Sequence, residues 1–112
     1  MSEEAASAIV AGVDIGGTGI KAAPVRVATG ELTMERIRLP TPSPATPQAV
    51  AHVVGEALRH IGVAGPIGLA MPAVVRGDIV ETASHIDPTW IGVNAVDFFS
   101  NCLLYTSPSP RD

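Results

Sequence analysis

Aromatic residues, cysteine and long apolar runs are all scarce in this chain of 112 residues. Aromatics make up 4% of the sequence, and the single cysteine, Cys102, excludes an internal disulfide. No apolar stretch approaches the roughly 20 residues that a membrane-spanning helix needs. The few basic residues are scattered and the formal net charge is −4, which argues against nucleic-acid binding through a basic face. The acidic N-terminus is unlike a signal peptide, so we expect a soluble cytoplasmic protein without nucleic-acid or membrane partners.

A glycine-rich turn between two apolar runs is the most informative segment that is present. The turn reads Gly16-Gly17-Thr18-Gly19, and the apolar run that follows it, residues 20–27, has the composition of a strand. Glycines can adopt positive φ and lack Cβ, so we expect the N–H groups of Gly16, Gly17 and Gly19 to converge on an anion. The segment is neither a Walker A loop nor a Rossmann fingerprint, because the required spacing and a following helix are both missing.

Polar residues in and beside this turn strengthen the prediction of a phosphate site. Thr18 supplies a hydroxyl donor, and Lys21 supplies a compact positive charge suited to phosphate. Asp14, at the end of the first apolar run, is placed to hold Mg²⁺ directly or through water. The alternative is an ordinary hairpin turn whose glycines serve only the backbone. The combination of acid, glycines, threonine and lysine favours phosphate binding and phosphoryl transfer.

The first half of the chain predicts three strands followed by one helix. The strands are expected over residues 8–14, 19–27 and 31–39, with Pro24 marking a bulge or an edge in the second. A proline-rich connector then leads to a helix with Thr46 as N-cap, Pro47 at its first position and Gly62 after its end. Apolar residues recur along this helix at the spacing of one buried stripe: Val50, Val53, Val54, Ala57, Leu58 and Ile61.

The second half predicts a return to the sheet and a smaller hairpin. A short buried strand is expected over residues 66–71, a hairpin around Arg76-Gly77-Asp78, and a loop over residues 82–93. Asn94 is expected to cap a last helix that runs from residue 95 to about residue 100. Three antiparallel strands, a crossover helix and a parallel return predict an α/β fold of the ribonuclease H-like type. Three polar residues are expected to be solvated rather than functional: His52, His60 and Asp97.

The last eleven residues differ in composition from everything before them. A DNA string that encodes all of residues 102–112 resembles the end of a transposase-based sequencing adapter. We interpret this tail as translated adapter that replaces the natural sequence near Asn101. The alternative is a genuine disordered tail rich in proline and serine. Re-sequencing the genomic locus distinguishes the two interpretations.

Four segments, taken in order, resemble the N-terminal lobe of polyphosphate glucokinases of the ROK family of sugar kinases. They lie at residues 12–21, 36–47, 65–75 and 81–92. The resemblance implies a truncated lobe of the actin-like ATPase and sugar kinase fold over residues 8–101, after a disordered start at residues 1–7. It also implies a phosphotransferase that acts on the 6-hydroxyl of glucose. Polyphosphate would be the donor, often with ATP also accepted, Mg²⁺ would be required, and the full-length protein would be a homodimer.

The resemblance also assigns residues to the two substrates. Donor phosphate and metal fall to Asp14, Gly16, Gly17, Thr18 and Lys21, with Asp14 as the metal ligand. Sugar contacts fall to the loops that contain Pro72, Ala73, His85 and Asp87. The family usually has glycine at position 73 and asparagine at position 85, so the resemblance implies that the sugar contacts differ there.

The catalytic base of the family would lie beyond the last helix, in an Asn-Asp segment that this chain does not contain. We therefore expect the 112-residue polypeptide to be inactive. The nearest alternative function is an ATP-dependent glucokinase or another hexokinase of the same family. A non-catalytic ROK regulator and an actin-like activator ATPase are alternatives of other classes. The first normally has an N-terminal helix-turn-helix, and the second often has an iron–sulfur cluster.

Overall fold

A four-stranded sheet with one helix across it forms the larger part of the structure. The computed structural model describes residues 8–63, 66–83 and 86–106, with side chains as far as Cys102. The described elements are, in chain order, β1 (Ile9–Ile15), β2 (Gly19–Arg26), β3 (Ile37–Pro40), α1 (Pro47–Ile61), β4 (Ile67–Ala70), β5 (Ala73–Arg76), β6 (Ile79–Ala83), a short 3₁₀ helix (Pro88–Trp90) and α2 (Ala95–Thr106).

The strand order in the larger sheet is β3-β2-β1-β4. The strands β1, β2 and β3 pair antiparallel in chain order, and β4 returns parallel to β1 after the crossover through α1. This is the connectivity that the sequence predicts. It places the carboxyl ends of β1 and β4 side by side at one edge of the sheet.

The main core lies between α1 and one face of the sheet. Alternate residues of β1 and β2 point toward α1, and the strand side is small and apolar, which lets the helix approach closely. The buried strand residues are Ala11, Val13, Ile15, Ile20 and Ala22, and the fully buried helix residues are Val50, Val54 and Ala57. The predicted apolar stripe of the helix is confirmed.

Both predicted ends of α1 are confirmed. The Thr46 hydroxyl accepts a hydrogen bond from the backbone N–H of Ala49 at 3.2 Å, and Pro47 occupies the first helical position. Gly62 ends the helix in the left-handed conformation, with φ 70°, and its N–H donates to the carbonyl of Leu58. These local signals fix where the helix lies after β3.

The third strand is shorter than predicted, because only Ile37–Pro40 pairs as a strand. Residues 31–36 contain one isolated bridge, between Val25 and Leu32. The N–H of Thr33 donates to the carbonyl of Pro24, so the peptide groups of Pro24 face the side of β3. Proline has no N–H to return that bond, and the ladder therefore stops. Pro24 thus lies where β2 has lost its strand partner on the β3 side, which agrees with the expected edge position. Its pairing with β1 shows no bulge.

The prediction that β4 is buried is wrong. Leu69 points to the side of α1 but is exposed because α1 lies chiefly over β2 and β3, whereas Gly68 and Ala70 are exposed on the opposite face of the sheet. We call the sheet surface opposite α1 the open face; it forms a shallow concavity of about 440 Å³. Its residues alternate with those of the core, and include Gly12, Asp14, Lys21, Ala23, Gly68 and Ala70.

The smaller hairpin, β5 with β6, is confirmed. Gly77 and Asp78 at its turn both have positive φ. Two-residue hairpin turns of this type have a backbone twist that matches the twist of the flanking strands. Asn94 caps α2, since its side-chain oxygen accepts a hydrogen bond from the N–H of Asp97 at 2.9 Å. The helix continues to Thr106, past the predicted end near residue 100. No proline interrupts the sequence before Pro108, so nothing in it stops the helix earlier.

Trp90 is the centre of a second, aromatic part of the core. Its side chain is fully buried and its indole N–H donates to the carbonyl of Ala45 at 2.8 Å. The rings of Phe98 and Phe99 on α2 lie 5.8 Å and 5.7 Å from it, in edge and stacked geometry. This cluster anchors the 3₁₀ helix and α2 to the connector before α1.

Three polar residues are exposed as predicted: His52, His60 and Asp97. Among the described helices, none has both the length and the apolar character needed to cross a bilayer.

Candidate functional site

The turn between β1 and β2 is closed by its own backbone. The N–H of Gly16 donates to the carbonyl of Gly19 at 2.9 Å. A Cβ on Gly16 would lie 2.9 Å from that same carbonyl oxygen, which is closer than real side chains approach. Glycine is therefore required at position 16 for space.

The expected use of positive φ is wrong for this turn. The described glycines with positive φ are Gly30, Gly62, Gly77 and Gly92, and none of them is in the turn. The N–H of Gly16 is also occupied within the turn, so in this structure it does not point to a ligand. Anion binding by the turn glycines remains a prediction. The N–H groups of Gly17 and Thr18 donate to no acceptor among the described residues, which leaves these two exposed groups available to an anion.

Asp14 and Lys21 are direct partners across the β1–β2 ladder, so both lie on the open face next to the turn. Asp14 is exposed and Lys21 is half-buried. Within the described part of the chain the one ion pair joins Arg76 to Glu81, so Asp14 and Lys21 are not paired with each other. Their opposite charges remain available to a ligand with both a metal and phosphate groups.

The described residues contain no group of three side chains able to enclose a metal ion. Asp14 alone fits Mg²⁺, because this ion usually takes one or two carboxylates and completes its shell with water and substrate phosphates. The exposed position of Asp14 leaves room for those other ligands.

Two residues outside the predicted set hold the turn from the side of β3. The Thr41 hydroxyl donates to the carbonyl of Gly16 at 2.7 Å. The Arg38 guanidinium donates to the carbonyl of Thr18 at 3.2 Å and lies within 3.4 Å of its hydroxyl oxygen. Their segment belongs to the resemblance, but only the register of β2 with β3 shows that it touches the turn.

The predicted sugar loop begins at the same edge of the sheet. Ala70 of β4 pairs with Asp14 of β1 in parallel register, so Pro72 and the glycine turn both follow carboxyl ends of neighbouring strands. Ligands of open α/β sheets bind in the crevice outside such ends. The structure therefore brings the glycine turn and the Pro72 segment to the same edge of the sheet.

Ala73 is the first residue of β5 and pairs with Ala83, the last residue of β6. This pairing places the Pro72 segment beside the end of the strand that precedes Asp87 in the chain. The side chain of Ala73 packs against the hydrophobic core. His85 lies outside the described residues, as does Ser84. The sugar-binding roles assigned to these positions remain predictions.

Asp87 caps the 3₁₀ helix. Its Oδ1 accepts hydrogen bonds from the Thr89 hydroxyl at 2.6 Å and from the Thr89 backbone N–H at 2.9 Å. These two bonds stabilise the charged form and lower the pKa of Asp87 below its ordinary value. Asp87 is therefore a charged hydrogen-bond acceptor at neutral pH.

Replacing Thr89 by valine is expected to raise the pKa of Asp87 toward its ordinary value, because the hydroxyl bond is the larger cause of the shift. A lowered folded-state pKa adds stability above the unfolded-state pKa, and that stability is lost as the pH falls through the folded-state pKa. The variant should thus be less stable than the parent at neutral pH, with the difference vanishing in strong acid. NMR titration of the Asp87 carboxyl measures the shift. Thr33→Val is the control, and an unchanged Asp87 pKa in Thr89→Val would contradict the assignment.

Comparison with known proteins identifies similar chains, although no protein-family profile matches. The polyphosphate glucokinase of Mycobacterium tuberculosis (strain H37Rv) is 48% identical over 86 residues, which cover 77% of this chain and 32% of that protein. The polyphosphate glucokinase of Mycobacterium leprae is 45% identical over 89 residues, covering 80% of this chain and 28% of that protein. The chain thus spans about a third of the length of the curated relatives it matches.

Solved structures agree with this similarity. The inorganic polyphosphate/ATP-glucomannokinase of Arthrobacter sp. strain KM superposes with a TM-score of 0.81 at 33% identity, over 86% of this chain and 41% of that one. A ROK family glucokinase of Streptomyces griseus, solved with glucose and AMPPNP, superposes with a TM-score of 0.72 at 24% identity, over 84% of this chain and 30% of that one. The predicted resemblance to polyphosphate glucokinases and the predicted sugar-kinase fold are both confirmed over the matched residues.

Proposed function

We propose that this chain is the donor-binding N-terminal part of a polyphosphate glucokinase, a phosphotransferase that makes glucose 6-phosphate. One observation carries the proposal. The parallel pairing of β1 with β4 brings the glycine turn, Asp14 and the Pro72 segment to a single edge of the sheet. Direct transfer requires a donor and an acceptor to be held next to each other, and the similar proteins named above support polyphosphate and glucose as the pair.

The donor side uses groups that the structure leaves unpaired. The N–H groups of Gly17 and Thr18 and the ammonium of Lys21 bind phosphate oxygens, while Gly16 sets the shape of the turn. Asp14 would hold Mg²⁺ beside them, and a bound ion there would supply positive charge to the phosphate oxygens. Each of these groups acts by position and charge, which is how phosphoryl transfer is chiefly catalysed.

The sugar side is built from the segments around Pro72 and Asp87. The Oδ1 atom of Asp87 is occupied by Thr89, while its Oδ2 makes no hydrogen bond to a described residue. Oδ2 is therefore available to accept a hydrogen bond from a sugar hydroxyl. The backbone at Ala73 and the side chain of His85 complete the sugar contacts, and each position differs from the residue usual in the family. We further propose a cytoplasmic location and a homodimer for the longer protein.

ATP is the second donor in this proposal, and an ATP-dependent glucokinase is the nearest alternative. The Streptomyces griseus enzyme was solved with AMPPNP, and the Arthrobacter enzyme is named an inorganic polyphosphate/ATP-glucomannokinase. Competition between ATP and polyphosphate, measured on the protein recovered from the natural locus, separates the two. A non-catalytic ROK regulator would bind sugar in the same assay and form no product with either donor.

The 112-residue chain itself is expected to form no glucose 6-phosphate. Transfer requires a base within hydrogen-bond reach of the sugar hydroxyl. Of the two carboxylates proposed for the site, Asp14 is committed to the metal, and the pKa of Asp87 is lowered, which makes it a weak base. A coupled glucose 6-phosphate assay with polyphosphate and with ATP tests this expectation. Clear Mg²⁺-dependent turnover by the short chain would contradict it, whereas the longer protein should be active.

A further inference from the structure

Arg38 lies directly on the glycine turn. It is the register partner of Lys21 on β2, so Asp14, Lys21 and Arg38 form one row across three adjacent strands. Its guanidinium covers Gly19 so closely that a Cβ on Gly19 would overlap it. The same group donates through Nη2 to the carbonyl of Thr18. Arg38 is thus fixed beside the turn by contacts at two consecutive residues.

The charge of Arg38 is not neutralised by the protein. Within the described residues the single ion pair is between Arg76 and Glu81, and the guanidinium of Arg38 is exposed. Only Nη2 forms hydrogen bonds to described residues, so the two N–H groups of Nη1 remain available to a ligand. A donor on a charged guanidinium forms a short, strong hydrogen bond with a phosphate oxygen.

We propose that Arg38 is a donor-binding residue that holds a phosphate group next to the one held by Lys21. The inference rests on the proposed function and extends it, because a polyphosphate presents several phosphates in a row. The geometry favours a linear polyanion, because Asp14, Lys21 and Arg38 follow one another in this order on adjacent strands, each about 5 Å from the next at the backbone. Arg38 then binds the part of the donor that is not transferred.

The test measures binding of sodium tripolyphosphate to the 112-residue chain by isothermal titration calorimetry in the presence of Mg²⁺. Arg38→Met is expected to weaken binding by about tenfold, the effect of losing a charge-assisted hydrogen bond. Arg38→Lys restores the charge without the planar fork and is expected to recover part of the loss. Arg26→Met is the matched control, since Arg26 lies at the opposite end of β2 from the turn.

A second variant separates binding from a purely structural role. Gly19→Ala keeps Arg38 but pushes its guanidinium off the turn. Gly19→Ala should weaken tripolyphosphate binding in the parent. It should have a much smaller effect in the Arg38→Met background, because both substitutions remove the same contact between Arg38 and the phosphate. Circular dichroism of each variant confirms that the fold is kept.

Each outcome decides a different claim. Binding by Arg38→Met within twofold of the parent overturns the inference and leaves the proposed donor turn intact. A parent chain that binds no tripolyphosphate overturns both. Loss of thermal stability in Arg38→Met with unchanged affinity assigns Arg38 a structural role only and also overturns the inference.

Discussion

Replacing Trp90 by alanine is expected to lower the free energy of unfolding by about 3–5 kcal/mol, the usual cost of removing a large aromatic side chain from a core. Trp90 is fully buried, and its ring packs against Phe98 and Phe99 of α2. Its removal also leaves the carbonyl of Ala45 without the indole donor. Since small domains are stable by only about 5–15 kcal/mol, this single change should bring the chain close to unfolding.

Trp90→Phe is a smaller change, which removes the indole N–H together with part of the ring. The carbonyl of Ala45 still accepts a hydrogen bond from the N–H of Asp87 in this variant. The variant keeps an aromatic ring in the cluster and removes the indole donor to Ala45, so we expect a loss of about 1–3 kcal/mol. Urea denaturation followed by circular dichroism measures both variants, because the chain has one tryptophan and its fluorescence is lost with it. Ile91→Ala is the control, since Ile91 is 53% exposed beside Trp90. A loss below about 1 kcal/mol for Trp90→Ala would contradict the central position of this side chain.

Replacing Asp14 by asparagine in the longer protein is expected to lower kcat/KM by about 100-fold or more, equivalent to about 2.7 kcal/mol of transition-state stabilisation. The substitution keeps the size of the side chain and removes its charge. Asp14 is exposed, forms no ion pair with a described residue and stands opposite Lys21. Its charge therefore contributes little to folding, so the loss should appear in activity while the unfolding midpoint stays nearly constant.

Asp78→Asn is the matched control for that experiment. Asp78 is exposed at the hairpin turn with φ 74°, a backbone conformation that asparagine adopts readily. It should change neither activity nor stability. Raising the Mg²⁺ concentration should recover part of the activity of Asp14→Asn if the carboxylate binds the metal. Full activity of Asp14→Asn at low Mg²⁺ would remove Asp14 from the donor site.

The parts of the fold that the sequence predicts well are those encoded locally. The caps at Thr46 and Gly62 and the apolar stripe between them lie within a few turns of one helix, and each signal acts on its neighbours. The turn at Gly77 and Asp78 is likewise set by two adjacent residues. Strong local signals of this kind need no knowledge of the rest of the chain.

The predictions that are wrong depend on contacts between distant segments. The end of β3 is set by the missing N–H of Pro24, and this matters only because that peptide faces β3 and not β1. The exposure of Leu69 on β4 depends on where α1 crosses the sheet, which periodicity does not reveal. The exposure of Gly68 and Ala70 depends on the open face having no described helix across it. A pattern of residue types contains none of this information.

The candidate site shows the same division. Asp14 and Lys21 belong to one short motif and are found from the sequence. Arg38 and Thr41 reach the turn only because of the register of β2 with β3. A shift of that register by one residue would turn the strand's side chains to the other face of the sheet. The required glycines are also predicted, although Gly16 is needed for space rather than for positive φ.

The parallel pairing of β1 with β4 sets the order in which the two halves of the site can form during synthesis. The hairpin of β1 and β2 closes over a short loop and is expected to form within microseconds once it leaves the ribosome. The partner of β1 on its other side is translated only after the whole of α1. Until then β1 exposes an unpaired edge, which is a template for aggregation in a nascent chain. Slow translation between β2 and β4 would prolong that exposure, so the crossover through α1 links the speed of the ribosome to the yield of folded protein.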